Sequence, residues 1–221
     1  GLVVDTAGYT AGTALPLPDA EGEHGRFVKK GAGTFTLSAS NTFTGPVVVE
    51  AGELALGSAG LVTLEGGCEV DGGALLNLSA RSLDFTLPSG TVSRVDGELR
   101  LASGKTLAVA NGAALGGTGT VGRVTFASGA TLARRASDGS DLLRVTECVI
   151  PEGAAIALTG YTVEELWQGI TVLSGTTLNV SQGCTVNVLL NGEKQPSVAL
   201  RVSGGTLTAQ RVNPGTMVTL H

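Results

Sequence analysis

The sequence predicts an all-β chain, a single polypeptide wound into a parallel β-solenoid (β-helix) and interrupted by one short helix near residues 162–168. Three observations lead there. Glycine occurs 34 times in 221 residues, about twice its usual share of roughly 7 %. Aromatic residues make up only 4 % and charged residues 15 %, so the interior must be filled with Leu, Val, Ile, Ala and Thr. That suits a narrow core of short strands closed by tight turns. Finally, a glycine followed by an alternating apolar strand recurs along the chain.

The recurring unit is "AGELAL" at Gly52, "GGALLNL" at Gly73, "DGELRL" at Gly97 and "NGAALGG" at Gly112. It continues as "SGATL" at Gly129, "EGAAIAL" at Gly153, "SGTTLNV" at Gly175 and "GGTLTA" at Gly205. Steps from 52 to 73, 73 to 97, 129 to 153 and 153 to 175 are 21, 24, 24 and 22 residues, the length of one coil with two or three short strands. A lone coil cannot pair its backbone and bury its apolar side chains; stacked coils do both. Alternation at Leu54/Leu56, Leu99/Leu101, Val121/Val124 and Leu178/Val180 predicts one set of side chains pointing inward, with Thr, Ser, Glu and Arg outside.

Read in order, residues 1–221 form one domain. Residues 1–26 are an N-terminal coil and cap loop, because "TALPLPDAEGEHG" (13–25) carries Pro16, Pro18 and four ionisable groups and leaves the regular stack. Residues 27–160 hold the regular coils. In the insertion 161–169, "YTVEELWQG", Thr162 and Glu165 fit a capping box, and Leu166 and Trp167 give a one- to two-turn helix something to bury. Trp167 reads more as a packing anchor than as a ligand-stacking residue. Residues 170–221 return to coils and a cap, with Pro214 and Gly215 in a turn before a last short strand. A solenoid exposes unpaired strand edges at both ends, so the ends are expected either to be caps or to continue into a longer protein.

A net charge of -5 and a pI near 5.0 supply no basic face for nucleic acid, and no apolar run is long enough to span a membrane as a helix. Cys68, Cys148 and Cys184 lack CxxC spacing and a histidine partner, which argues against zinc. They read as small apolar core residues, with a disulfide between one pair open in an oxidising compartment. His24 and His221 have no adjacent Ser or Cys motif, and "GGTGTVG" lacks the Lys-Ser/Thr ending of a phosphate loop. The tightest acidic group, Asp19, Glu21 and Glu23 beside His24, reads as a solvated loop ahead of a weak Ca²⁺ site. "SDGSD" (Asp138 to Asp141), preceded by Arg134 and Arg135, reads as a turn with Gly139 at positive φ; the sharper alternative is a carboxylate and guanidinium site for an anionic sugar. No residue is assigned a catalytic, cofactor-binding or metal role, and no cofactor is expected.

"VKKGAGTFTLSASNTFTGPVVVEAGELAL", residues 28–56, closely resembles the autotransporter-associated β-strand repeat, also called the passenger-associated transport repeat. The matching positions are Lys30, Gly31, Gly33, Thr34, Leu37, Ser38, Asn41, Thr42, Phe43, Thr44, Gly45, Ala51, Gly52 and Leu54. Phe35 stands where Leu is usual, Ala39 where Gly is frequent and Pro46 where a second Gly is common. "GLVVDTAG" at the start and "LGGTGTVGRVTFASGATL" (115–132) resemble segments that flank the repeat.

The resemblance implies a right-handed parallel β-helix, the hand that parallel crossovers generally take, in an exported bacterial protein at the cell surface or outside the cell. It implies a non-enzymatic stalk or adhesin-like surface whose class of partner is a host glycoprotein or carbohydrate, with no residue cluster naming the ligand. A carbohydrate-active β-helix of the lyase or hydrolase type is the alternative and needs convergent carboxylates; a trimeric spike-like assembly is a third. No barrel-type strands follow residue 150, so a passenger fragment, or export by another route, is expected. The turn within 29–56 is too long for the favoured two-residue hairpin, and the stretch therefore reads as a full coil with its corner at Asn41 to Gly45.

Overall fold

The computed structural model of the chain describes residues 1–180 and 186–213. Strands make up 49 % and helix 4 %, and the strands stack in parallel as a β-solenoid of about 7 turns. No described helix is long and apolar enough to cross a membrane.

Each coil lays one strand on a first face, turns a corner, and lays the next on a second face. The first face stacks β1 (Leu2–Asp5), β3 (Phe27–Lys30), β5 (Val47–Val49), β7 (Cys68–Val70) and β10 (Val92–Val95). It continues through β13 (Ala114–Gly116), β15 (Thr131–Arg135), β17 (Ala155–Thr159), β19 (Asn187–Leu190) and β20 (Glu193–Lys194). The second face runs β2 (Ala11–Thr13), β4 (Thr34–Leu37), β6 (Glu53–Leu56), β8 (Leu75–Asn77) and β11 (Glu98–Arg100). It goes on through β14 (Thr120–Phe126), β16 (Leu143–Ile150), β18 (Ile170–Val180), β22 (Thr206–Arg211) and β21 (Val198–Ser203). A short third face pairs β9 (Phe85–Leu87) with β12 (Thr106–Val109), and β12 with the far half of β14.

The register matches the expected coil length: Phe27 pairs with Val47, 20 residues on, Val47 with Cys68, 21 on, and Thr131 with Ala155, 24 on. The match explains the core. Phe35, Leu54, Leu76, Leu99, Val121 and Val145 form one inward column through the second face, none more than 9 % exposed, and each such burial contributes about 1.5–3 kcal/mol. Leu56 and Val124 are buried as well, the latter because Gly122 carries β14 around a corner onto the third face. Leu101, Leu178 and Val180 are only partly buried, since the strand has ended at Arg100 and, among the described residues, no later strand pairs with the 177–180 half of β18.

Successive turns also stack. The N–H of Gly112 donates to the carbonyl of Gly129 at 3.1 Å, and that of Gly129 to Gly153 at 2.9 Å; the three glycines have φ of 75°, 78° and 78°, the left-handed region such a turn needs. Gly175, grouped with them by its sequence context, instead lies in the middle of β18. Within the 27–56 stretch, β3 pairs in parallel with β5 and β4 with β6, while β4 and β5 flank the corner and belong to different faces. This is coil geometry and not a hairpin.

Helix α1 (Val163–Gln168) starts at Thr162, whose Oγ1 accepts from the Glu165 N–H at 3.2 Å while Glu165 Oε2 accepts from the Thr162 N–H at 2.7 Å. Its buried anchor is Leu166, fully covered. Trp167 does not take the anchoring role expected of it: it is 40 % exposed, with the Arg211 guanidinium 5.3 Å from its ring. A helix this short turns few side chains onto the sheet: Leu166 is the covered one, with Val163 partly buried beside the core. The last coils close with antiparallel pairings, β18 to β22, β22 to β21 and β19 to β20; the Pro214–Gly215 turn and the strand expected after it lie outside the described residues. Cys68 and Cys148 are buried free thiols pushed up to about 12 by burial, so they are not bonded to each other; Cys184 lies outside the described residues.

Coils approach so closely at corners that some glycines have no room for a side chain. A Cβ on Gly33 would fall on the carbonyl of Tyr9 in the preceding coil, whereas one on Gly72 meets nothing within 4 Å. Gly33→Ala is therefore expected to cost about 3 kcal/mol and Gly72→Ala to stay within about 0.5 kcal/mol of the parent, as read from urea denaturation of the two variants.

Candidate functional site

The repeat coil is built around a buried cation. Phe27 and Lys29 share the inward side of β3, and Lys29 is fully buried. Its ammonium donates to the carbonyls of Lys30 at 2.8 Å, Gly31 at 2.7 Å and Ala51 at 3.1 Å. Burial lowers its pKa and the nearby Asp5 carboxylate opposes that; three converging carbonyls favour the charged form for the same reason. Lys30, matched to the repeat by resemblance, points outward and pairs with Glu50 at 3.1 Å, with both side chains more than a third exposed. Strand alternation decides this, since only every second residue faces the core.

The other repeat positions serve coil stacking. Leu37 and Leu54 are fully buried, and Phe43 stacks on Phe27 with ring centres 5.8 Å apart. Asn41, 2 % exposed, clamps three coils. Its Oδ1 accepts from the Leu17 N–H at 3.1 Å, and its Nδ2 donates to the carbonyls of Ala39 at 2.7 Å and Leu61 at 3.1 Å. Thr42 is exposed and contributes its backbone N–H to the Leu17 carbonyl at 3.1 Å; Thr34 Oγ1 donates to Glu53 at 3.3 Å. Gly31, Gly45 and Gly52 each lie against backbone or Asp5 of the coil before.

The acidic loop 19–24 is not a convergent cluster. Asp19 accepts from the Gly25 N–H at 2.8 Å, the Thr44 N–H at 2.8 Å and Thr44 Oγ1 at 2.6 Å, latching the loop onto the repeat corner. No three His, Cys, Asp or Glu side chains converge among the described residues.

The second polar centre joins distant coils. Arg94 donates to Asp96 and to Asp138, both at 2.6 Å, and Asp138 lies 3.4 Å from Arg134. Arg94 reaches Asp138 because the positions stacked on it in the next two coils are Gly116 and Ala133, too small to block a long side chain. Burial works against the charge on Arg94, while Asp138 and Asp96 raise its pKa. Arg134, 3 % exposed, donates to the carbonyls of Asp141 and Gly139. Gly139 has the expected positive φ, 60°. The turn expected of "SDGSD" is present, and the carboxylate of Asp138 is taken up in an internal network with Arg94 and Arg134, which leaves the anionic-sugar alternative without that carboxylate. Nothing in the sequence around Arg94 marks it, because its partners are set by register.

The loop after the 3-10 turn Ala136–Asp138 and α1 flank a groove of about 540 Å³ lined by Arg134, Ser140, Tyr161, Glu165, Gln168 and Thr206, among others. Tyr161 Oη donates to the Arg135 carbonyl at 3.3 Å, and burial raises its pKa.

Two outcomes are expected. Lys29→Met leaves the Gly31 and Ala51 carbonyls without their donor, while the Lys30 carbonyl keeps the Thr6 N–H, and should lower stability by about 2 kcal/mol; Lys30→Met removes a surface pair worth about 0.5 kcal/mol or less, both measured by denaturant titration. The Asp19 pKa is lowered, first by the Thr44 hydroxyl and further by the Gly25 and Thr44 N–H groups and His24, against the opposing cost of burial. Its folded value lies below its unfolded one, so the latch is complete above the ordinary aspartate value of 3.8 and is lost as pH falls through the lower folded value. Hydrogen-exchange protection at Gly25 and Thr44 should fall over that acid range in the parent and be low throughout in Asp19→Asn.

No curated protein and no solved structure matches the chain. Residues 27–56, the coil built on Lys29 and Asn41, match the family model of the passenger-associated-transport-repeat. The protein is a β-solenoid, one coil of which, residues 27–56, is similar to the passenger-associated-transport-repeat.

Proposed function

We propose that this protein is a non-enzymatic, extracytoplasmic β-helix that serves as a stalk or adhesin-like surface of a bacterial cell-surface or secreted protein. The observation that carries this reading is the passenger-associated repeat at 27–56 embedded in a continuous solenoid. Its residues are engaged in holding coils together: Lys29 and Asn41 spend their polar atoms on backbone groups of neighbouring coils. A rod of this kind works by length and stiffness, presenting what protrudes from its sides.

The polysaccharide-cleaving alternative has less support. A glycosidase needs two carboxylates facing each other across a groove; here Asp138 is held by Arg94 and Arg134, and Glu165 has its Oε2 tied to the start of α1. Antibody against the chain should label intact cells of the source bacterium, and protease added outside should remove the signal. Labelling that appears only after lysis overturns the extracytoplasmic reading, and release of reducing or unsaturated ends from a polysaccharide panel overturns the non-enzymatic one.

A further inference from the structure

We propose that the groove between α1 and the loop after the 3-10 turn Ala136–Asp138 binds a neutral saccharide through Arg134, Tyr161, Glu165 and Gln168. This deepens the display reading above and rests on it for where the ligand is met.

The groove is where the solenoid departs from its own period. Ala114 pairs with Thr131 after 17 residues and Thr131 with Ala155 after 24, but Ala155 pairs with Asn187 only after 32. The extra chain includes α1, and the 3-10 turn is inserted one coil earlier, between β15 and β16. Both insertions border the same groove, and insertions gathered on one side of a solenoid are where such folds commonly bind. At about 540 Å³ it lies within the usual size of small-molecule sites, ~300–1,000 Å³.

Its wall carries an unmet donor. Arg134 lines the groove and is 97 % covered; its Nε is buried and has no hydrogen-bond partner among the described residues. Leaving such a group unpaired is costly, and it marks this wall as one whose polar groups the chain itself does not fully satisfy. Around it stand the Gln168 amide, the Ser140 and Thr206 hydroxyls, the Tyr161 ring and the Glu165 carboxylate, whose position is set by Thr162. Donors, one carboxylate acceptor and a planar ring suit a hydroxylated ring, whose every OH both gives and takes a hydrogen bond.

Charge selects against an acidic sugar. Of the corner's guanidiniums, Arg94 and Arg134 are matched by the carboxylates of Asp96 and Asp138, and the exposed Arg135 is not among the residues lining the groove. Glu165 then adds a negative charge to the groove wall, so no cationic surplus remains to hold an anion.

Saturation-transfer NMR and calorimetry on the 221-residue chain test this, with neutral trisaccharides of glucose, mannose and galactose set against trigalacturonate and sialyllactose. At least one neutral trisaccharide should bind at micromolar to millimolar concentration. Gln168→Ala should weaken it about tenfold with an unchanged melting temperature, and the groove-filling Ser140→Trp should abolish it. Absence of binding by all the neutral sugars, tighter binding of an acidic one, or affinity unchanged in both variants overturns the assignment. Because binding is read on purified protein and display on intact cells, either reading can fail without the other.

Discussion

The parallel hydrogen-bond ladder between successive coils is the constraint on which the rest of this structure depends. A coil has no internal partners for its strand amides, so each strand must lie beside its counterpart about one coil length further along the chain. Once Phe27 is beside Val47 and Val47 beside Cys68, every other stacking relation on that face is settled. The side chains become columns, the turns become columns, and the close approach of backbones at corners follows without any further choice. This is why glycine is abundant while aromatic residues are few: a narrow interior has room for aliphatic ladders, and its corners have little room at all. The three phenylalanines packed together, Phe27, Phe35 and Phe43, fall in one coil beneath the first.

The same geometry gives buried cations a place. Lys29 belongs to an inward column with Val49, Val70 and Val95. Extending the register of Arg94, Gly116 and Ala133 by one residue puts Arg134 in that column too, above Leu158 in the following coil. Both cations occupy the end of a first-face strand, where the chain turns and carbonyls point back toward the axis. Lys29 is met by three of these and Arg134 by two. Charge that would be prohibitive in the middle of the ladder is tolerated at the corner because the backbone there has acceptors to offer. At Arg134 a carboxylate is added, and with it the long reach of Arg94 across two small residues. Where the longest step, Ala155 to Asn187, adds chain, polar groups also gather beneath a groove.

Much of this was legible in the residues themselves. The glycine-strand unit at Gly112, Gly129 and Gly153 revealed the coil period, because a turn needing positive φ and a strand needing alternation both leave local marks. Thr162 and Glu165 marked the start of α1, since a capping box is closed within four residues. Asn41 to Gly45 could be read as a corner instead of a hairpin turn. What the residues do not state is which way a side chain faces: Lys29 is the buried lysine of its coil while Lys30 points outward, and the helix is anchored by Leu166 while Trp167 lies under Arg211.

From sequence alone come the all-β class, the coil length, the glycine corners, the capped helix and the likeness to a passenger-associated repeat, all of them properties that residues within one coil can express. Only the tertiary structure decided that Asp19 latches onto Thr44, that Asn41 clamps three coils, and that Arg94 meets Asp138 from 44 residues away. These contacts depend on register between coils. Register is a collective outcome of loop lengths that vary from 17 to 32 residues between paired positions, and no local pattern along the chain states their sum.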